Sequence, residues 1–169
     1  MLKDRTQKIA RLSVMAALAM ILSYVDSWLS FFSPLPGFKI GLANLVIVFL
    51  LWEEDVPSAL TVNVLRCLLS AFLFTSLYAL LYSITGALFS LLAMAWFHKK
   101  KPNLSPASIG ALGGVVHNLA QWLVACFFLQ PKTILWFLPP LWGVGLVTGF
   151  LLGWIVLQTL RYYPSSKSA

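Results

Sequence analysis

What most constrains this chain is a recurring run of roughly twenty apolar residues, most of the runs separated by short charged, proline-bearing or glycine-bearing stretches. The hydrocarbon core of a bilayer is about 30 Å thick, and an α-helix needs about 20 residues to cross it. The runs cover positions 9–28, 39–52, 57–76, 77–97, 106–129 and 134–160, the second of them short for a span. Between the first two, Pro34, Pro36 and Gly37 oppose a continuous helix. Pro57 and Pro106 suit the first turn of a new one, where the missing N–H costs nothing. The expected fold is therefore all-α: a polytopic membrane protein with six transmembrane helices in one bundle. The single domain covers 1–169, with short tails at 1–8 and 162–169.

Composition excludes the main alternatives. Apolar residues make up 60% of the chain and charged residues 10%, against roughly 45–50% and 25% in soluble domains. Mean hydropathy is +0.86. A water-soluble monomer does not fit, and disorder needs low hydrophobicity. The net charge of +7 would suggest nucleic acid in a soluble protein. Here the basic residues sit between apolar runs, so no nucleic-acid partner is expected and membrane topology explains the charge. Cys67 and Cys126 both lie in apolar runs and give neither a zinc site nor a disulfide framework. The first run is too long for a cleavable signal peptide and lacks a small-x-small cleavage pattern.

The basic residues also set an orientation. With six spans, Lys3, Arg5, Lys8, Arg11, Lys99, Lys100, Lys101, Arg161 and Lys167 fall on one side, while Lys39 and Lys132 fall on the other. Cytoplasmic loops carry the excess of Lys and Arg, so both termini are expected in the cytoplasm. Trp28, Trp52, Trp96 and Trp136 fall near span ends, as interfacial aromatics do.

Polar residues inside the spans are expensive and mark functional candidates. Arg66 lies about ten residues into the third run, with Asn63 and Ser70 on the same helix face. The fifth run carries His117, Asn118 and Gln121, preceded by Gly113 and Gly114. Asn44 is in the second run, Asp26 and Ser27 close the first, and Tyr78 and Tyr82 share a face of the fourth. Together these residues suggest one polar pocket opening outward. The Arg66 guanidinium suits a carboxylate or phosphate, since its planar fork pairs with such groups bidentately. Asn44, His117, Asn118 and Gln121 are candidates to orient a polar head, with Tyr82, Tyr78 and Trp136 against its flat or greasy part. A purely structural role is the competing reading: Arg66 paired with Asp26, and buried amides cross-linking helices. Asn63 suits that structural role better.

Small residues form a second pattern. Gly145, Gly149 and Gly153 make one stripe, which is expected to pack within the chain. Ser13, Ala16, Ala17 and Ala19 make a small face on the first run, which is available to dock another membrane subunit.

No G-x-x-x-x-G-K-[ST] loop is present, so no P-loop ATPase is expected. Paired aspartate-rich motifs that would hold magnesium against a diphosphate are missing. The chain is therefore expected to be no enzyme and to carry no cofactor and no metal.

Pro36-Gly37-Phe38-Lys39-Ile40-Gly41-Leu42-Ala43-Asn44 resembles the P-G-x-K-x-G-L-A-N signature of the bacterial Gx transporter family, also catalogued as heptaprenyl diphosphate synthase component I. Leu65-Arg66 and His117-Asn118-Leu119-Ala120-Gln121 resemble that family's other signatures, and the likeness runs over about 11–160. Asp26-Ser27 departs from the expected Glu-Ser; the shorter acid keeps the charge. The resemblance implies a fold similar to the substrate-binding S components of energy-coupling factor transporters. It adds Lys39 to the candidate ligands. It implies that Ser13, Ala16, Ala17 and Ala19 dock a transmembrane coupling subunit driven by two ATPases. The expected function is capture of a small anionic solute (a vitamin, cofactor or quinone precursor), with 30–38 as a lid. The synthase label implies another role, a noncatalytic membrane scaffold for a polyprenyl diphosphate synthase in menaquinone synthesis. A self-contained secondary carrier is a third reading.

Overall fold

The computed structural model describes residues 2–31, 40–128 and 138–162. Among them are six helices: α1 (Leu2–Phe31), α2 (Asn44–Glu53), α3 (Val56–Leu73), α4 (Leu77–Lys100), α5 (Pro106–Phe128) and α6 (Leu138–Tyr162). The all-helical bundle expected from the sequence is what the chain forms. Lys39, Lys132, Trp136 and positions 32–38 of the expected lid lie outside the described residues.

Local chemistry sets the helix starts. Asp55 caps α3, its carboxylate accepting from Ser58 N at 2.7 Å, and Pro57 follows in the first turn. Ser76 caps α4 by accepting from Ala79 N at 3.2 Å, and Ser105 does the same for α5 through Ser108 N. The last turn of α4 carries His98, Lys99 and Lys100, where positive charge complements the carbonyl end of the helix dipole.

Five of the helices are long and apolar enough to cross a membrane. The exception is α2. Its 10 residues rise only about 15 Å, half the hydrocarbon thickness. Val46, Ile47, Val48 and Leu50 are at most 1% exposed, and α2 touches all five other helices. A helix apolar on every side belongs in the interior. At membrane depth, a helix that stops halfway is tolerated only where protein encloses its end.

The helix expected from Lys39 onward starts at Asn44 instead, because the preceding turn is built differently. Gly41 has φ +77°, a left-handed conformation that favours glycine. The Asp26 carboxylate accepts from Ile40 N at 2.8 Å and from Gly41 N at 3.0 Å. Asn44, Leu45 and Val46 then donate to the carbonyls three residues back, forming a tight entry turn.

α5 and α6 pack backbone to backbone. A methyl group on Gly114 would overlap the Gly145 carbonyl oxygen, and one on Gly149 would overlap that of Gly110. The glycine stripe of α6 is thus used inside the chain, where small residues let helix backbones meet. α1 packs on α3 and touches α2. Its charged end is tied to the α2–α3 turn by Lys8–Asp55 at 2.8 Å and Arg11–Glu54 at 2.9 Å. The Trp52 ring lies 4.2 Å from the His98 ring at the same end.

Candidate functional site

The polar residues of four helices meet halfway along the bundle. Counted from the charged ends of their helices, Asn44, Arg66 and His117 each lie roughly 14–17 Å along the axis. That is near the middle of a bilayer core of about 30 Å. Asn63, Arg66 and Ser70 share the inner face of α3 and are all buried, as their spacing predicts.

Arg66 is 7% exposed. Its Nε donates to Asn63 Oδ1 at 2.9 Å and its Nη1 to Ser23 Oγ at 3.2 Å. Asn63 in turn donates to the Ala87 carbonyl at 2.8 Å, linking α3 to α4. Nη2 is buried without a hydrogen-bond partner. Among the described residues no carboxylate forms an ion pair with Arg66. The pairing with Asp26 that would make Arg66 purely structural does not form, because Asp26 grips the turn before α2.

Both residues nonetheless line the same cavity. α1 supplies Ser23, Asp26 and Ser27; the α2 entry turn supplies Gly41; α3 supplies Arg66, Cys67 and Ser70; Thr75, Ser83 and His117 complete the wall. The cavity measures about 20 Å³, room for about one water molecule. The lining runs from mid-depth at Arg66 and His117 toward the end of the bundle opposite the charged one, at Ser27 and Thr75.

The remaining candidates fall into separate places. Asn44, 5% exposed, stands beside Gly41, where a methyl group would come within 3.3 Å of Asn44 Nδ2. Gln121, one turn beyond His117 and 1% exposed, donates from Nε2 to the Tyr82 carbonyl at 3.4 Å. Tyr82 thereby contributes its backbone to the site. Gly86 faces His117 and Gln121 so closely that a methyl group would lie 2.9 Å from the imidazole. Asn118 points elsewhere: its Nδ2 donates to the Leu141 carbonyl at 2.8 Å, across the α5–α6 seam. On α1, Ala16 and Ala19 are buried inside the bundle, while Ser13 and Ala17 face outward. Among the residues lining the cavity, sequence reading gave no ligand role to Ser23, Thr75 or Ser83. Lone hydroxyl residues in an apolar run carry no signal of which helix they face.

Buried polar atoms almost always find partners. Here Arg66 Nη2, Ser70 Oγ, Asn44 Oδ1 and Gln121 Oε1 are buried without one. The first three N–H groups of α2 are already taken by the entry turn, so the half-helix offers its dipole and not free donors. The arrangement as a whole presents one fixed positive charge, a positive helix end and several unmatched polar atoms at mid-depth. Two other cavities differ in character. One, about 380 Å³, is an apolar groove on α4 and α5 lined by Phe89, Leu119, Leu123 and Phe127. The other, about 1000 Å³, lies at the charged end between Trp52, Asp55, Trp96 and Lys99.

The family model described as heptaprenyl diphosphate synthase component I covers residues 15–159, and the chain belongs to that family. Comparisons with curated proteins and with solved structures found no match.

Proposed function

We propose that this member of the heptaprenyl diphosphate synthase component I family is a noncatalytic membrane component that captures a small anionic solute. The observation that carries the reading is Arg66: a guanidinium buried at mid-depth, facing a polar cavity, with one nitrogen unpartnered and, among the described residues, no carboxylate in an ion pair with it. An unpaired charge at that depth is costly, and an incoming carboxylate or phosphate would complete it. The half-helix α2 supports the same polarity, since broken helices direct their positive ends at anionic substrate groups in many transporters. The positive-inside rule puts the charged end in the cytoplasm of a bacterial cell, with both termini there. The cavity lining then leads toward the outside.

A cavity for one water cannot hold a vitamin-sized solute, so capture requires the bundle to open. In this reading α1 is the element that moves; at the site it meets the bundle through Ser23, bonded to Arg66, and Asp26, bonded to the α2 entry turn. Release would be driven by a transmembrane coupling subunit and its ATPases, docked on the outward small residues Ser13 and Ala17, in the manner of S components.

Removing one partner of a buried charge pair costs about 2–5 kcal/mol. Arg66→Ala should therefore weaken binding of the retained solute by about 30-fold or more. Native mass spectrometry of gently extracted protein is the test. A small anion lost in Arg66→Ala supports capture, and a solute retained equally by the variant refutes it. A second reading is favoured by the family's description: a scaffold for a prenyl synthase subunit, with a prenyl chain in the apolar groove of α4 and α5. Co-purification of a soluble synthase with solute-free protein would favour it.

A further inference from the structure

The unmatched atoms of the site are not all donors, and this restricts what the site can take. Arg66 Nη2 is a donor in search of an acceptor. Asn44 Oδ1 and Gln121 Oε1 are acceptors in search of donors, each buried without a partner. The orientation of the Gln121 amide is fixed by its neighbour, since Nε2 donates to the Tyr82 carbonyl, and turning it over would set two oxygens face to face. Neither amide lines the cavity itself; each stands directly behind a residue that does. Asn44 stands against Gly41 and Gln121 is one turn from His117, and Gly41 and His117 both line the cavity.

Resting on the capture reading above, we infer that the solute is an anion that also carries hydroxyl or amino N–H groups, donated to Asn44 and Gln121 while its carboxylate or phosphate meets Arg66. A prenyl diphosphate has an anionic end but only hydrocarbon beyond it, and would leave both carbonyl oxygens buried and unmatched. Sites built to hydrogen-bond a substrate hydroxyl or N–H discriminate strongly against analogues that lack it, because the site's own polar groups are then stranded.

Matched probes separate the two requirements. Purified protein in lipid nanodiscs is titrated with 4-aminobenzoate against 4-methylbenzoate, and with 4-hydroxybutanoate against pentanoate, with binding followed by native mass spectrometry. The donor-bearing member of at least one pair is expected to bind about tenfold or more tighter than its methyl-bearing counterpart. That preference should shrink in Gln121→Met, which keeps the length and loses the carbonyl, while the Arg66-dependent binding of the anion itself persists in that variant. Equal binding within both pairs, still abolished by Arg66→Ala, overturns the donor requirement and leaves the anion site standing; water then serves the two amides. No Arg66-dependent binding of any of the four overturns both.

Discussion

Asp26 and Arg66 line one cavity, yet each is spent on a different neighbour. The Asp26 carboxylate holds the backbone N–H groups of Ile40 and Gly41, at 2.8 and 3.0 Å, and the Arg66 guanidinium holds Asn63 and Ser23. Opposite charges that share a wall without neutralising each other keep the positive one available. The same division explains why α2 is short: the acid that would have paired with Arg66 instead organises the turn from which α2 starts.

Asp26→Asn tests that division. An amide keeps one acceptor oxygen and turns an NH₂ toward a backbone donor. Hydrogen bonds to a charged group contribute about 1.5–3 kcal/mol, so unfolding in nanodiscs should show a loss of that size. Unchanged stability would mean that Asp26 does not organise the α2 entry.

Asn63→Asp addresses the charge directly. Asn63 is fully buried and already accepts from Arg66 Nε, so a carboxylate there would neutralise the guanidinium in place. The link to Arg66 is kept and the donor to the Ala87 carbonyl is lost, so the variant should fold with reduced stability, while the anion is lost from the site as in Arg66→Ala. A variant that folds and still binds the anion normally would contradict the role given to Arg66.

Gly114→Ala and Gly143→Ala form a contrast on the α5–α6 pair. A methyl group at Gly114 overlaps the Gly145 carbonyl, whereas one at Gly143 meets nothing within 4 Å. Overpacking typically costs about 1–3 kcal/mol, occasionally more. Replacing an exposed helical glycine with alanine stabilises by up to about 1 kcal/mol. Thermal unfolding should move in opposite directions for the two, and equal shifts would argue against backbone-to-backbone packing.

The α2–α3 turn sets a pH dependence. The hydrogen bond from Lys8 first, and those from Ser58 next, hold the Asp55 carboxyl well below the usual aspartate range. A lowered folded value means that the stabilisation is fully present above the unfolded aspartate value, near 3.9. It is lost as pH falls through the folded one. Stability should be flat from neutral pH down to about 5 and decline below about 4. Asp55→Asn should shallow that decline while keeping the cap; Asp55→Ala should cost about 1 kcal/mol at neutral pH as well. The pair is half exposed, so the slope is small and shrinks with added salt.

The sequence by itself determined residence in a membrane, the succession of helices and the gathering of basic residues at one end. Run length, hydropathy and charge placement are properties of the chain that need no neighbours. It also placed Asn63, Arg66 and Ser70 on one face, because helical period alone fixes that. Only the tertiary structure decided that α2 stops halfway and that Arg66 is left with an open nitrogen. It alone also decided that Asn118 is used on the α5–α6 seam, while Ala16 and Ala19 are buried in the bundle. In a chain this uniformly apolar, each helix is greasy on nearly every side, so its pattern says little about which helix lies beside it. Partners were settled by close approach at glycines and by a carboxylate that found backbone N–H groups before it found a guanidinium.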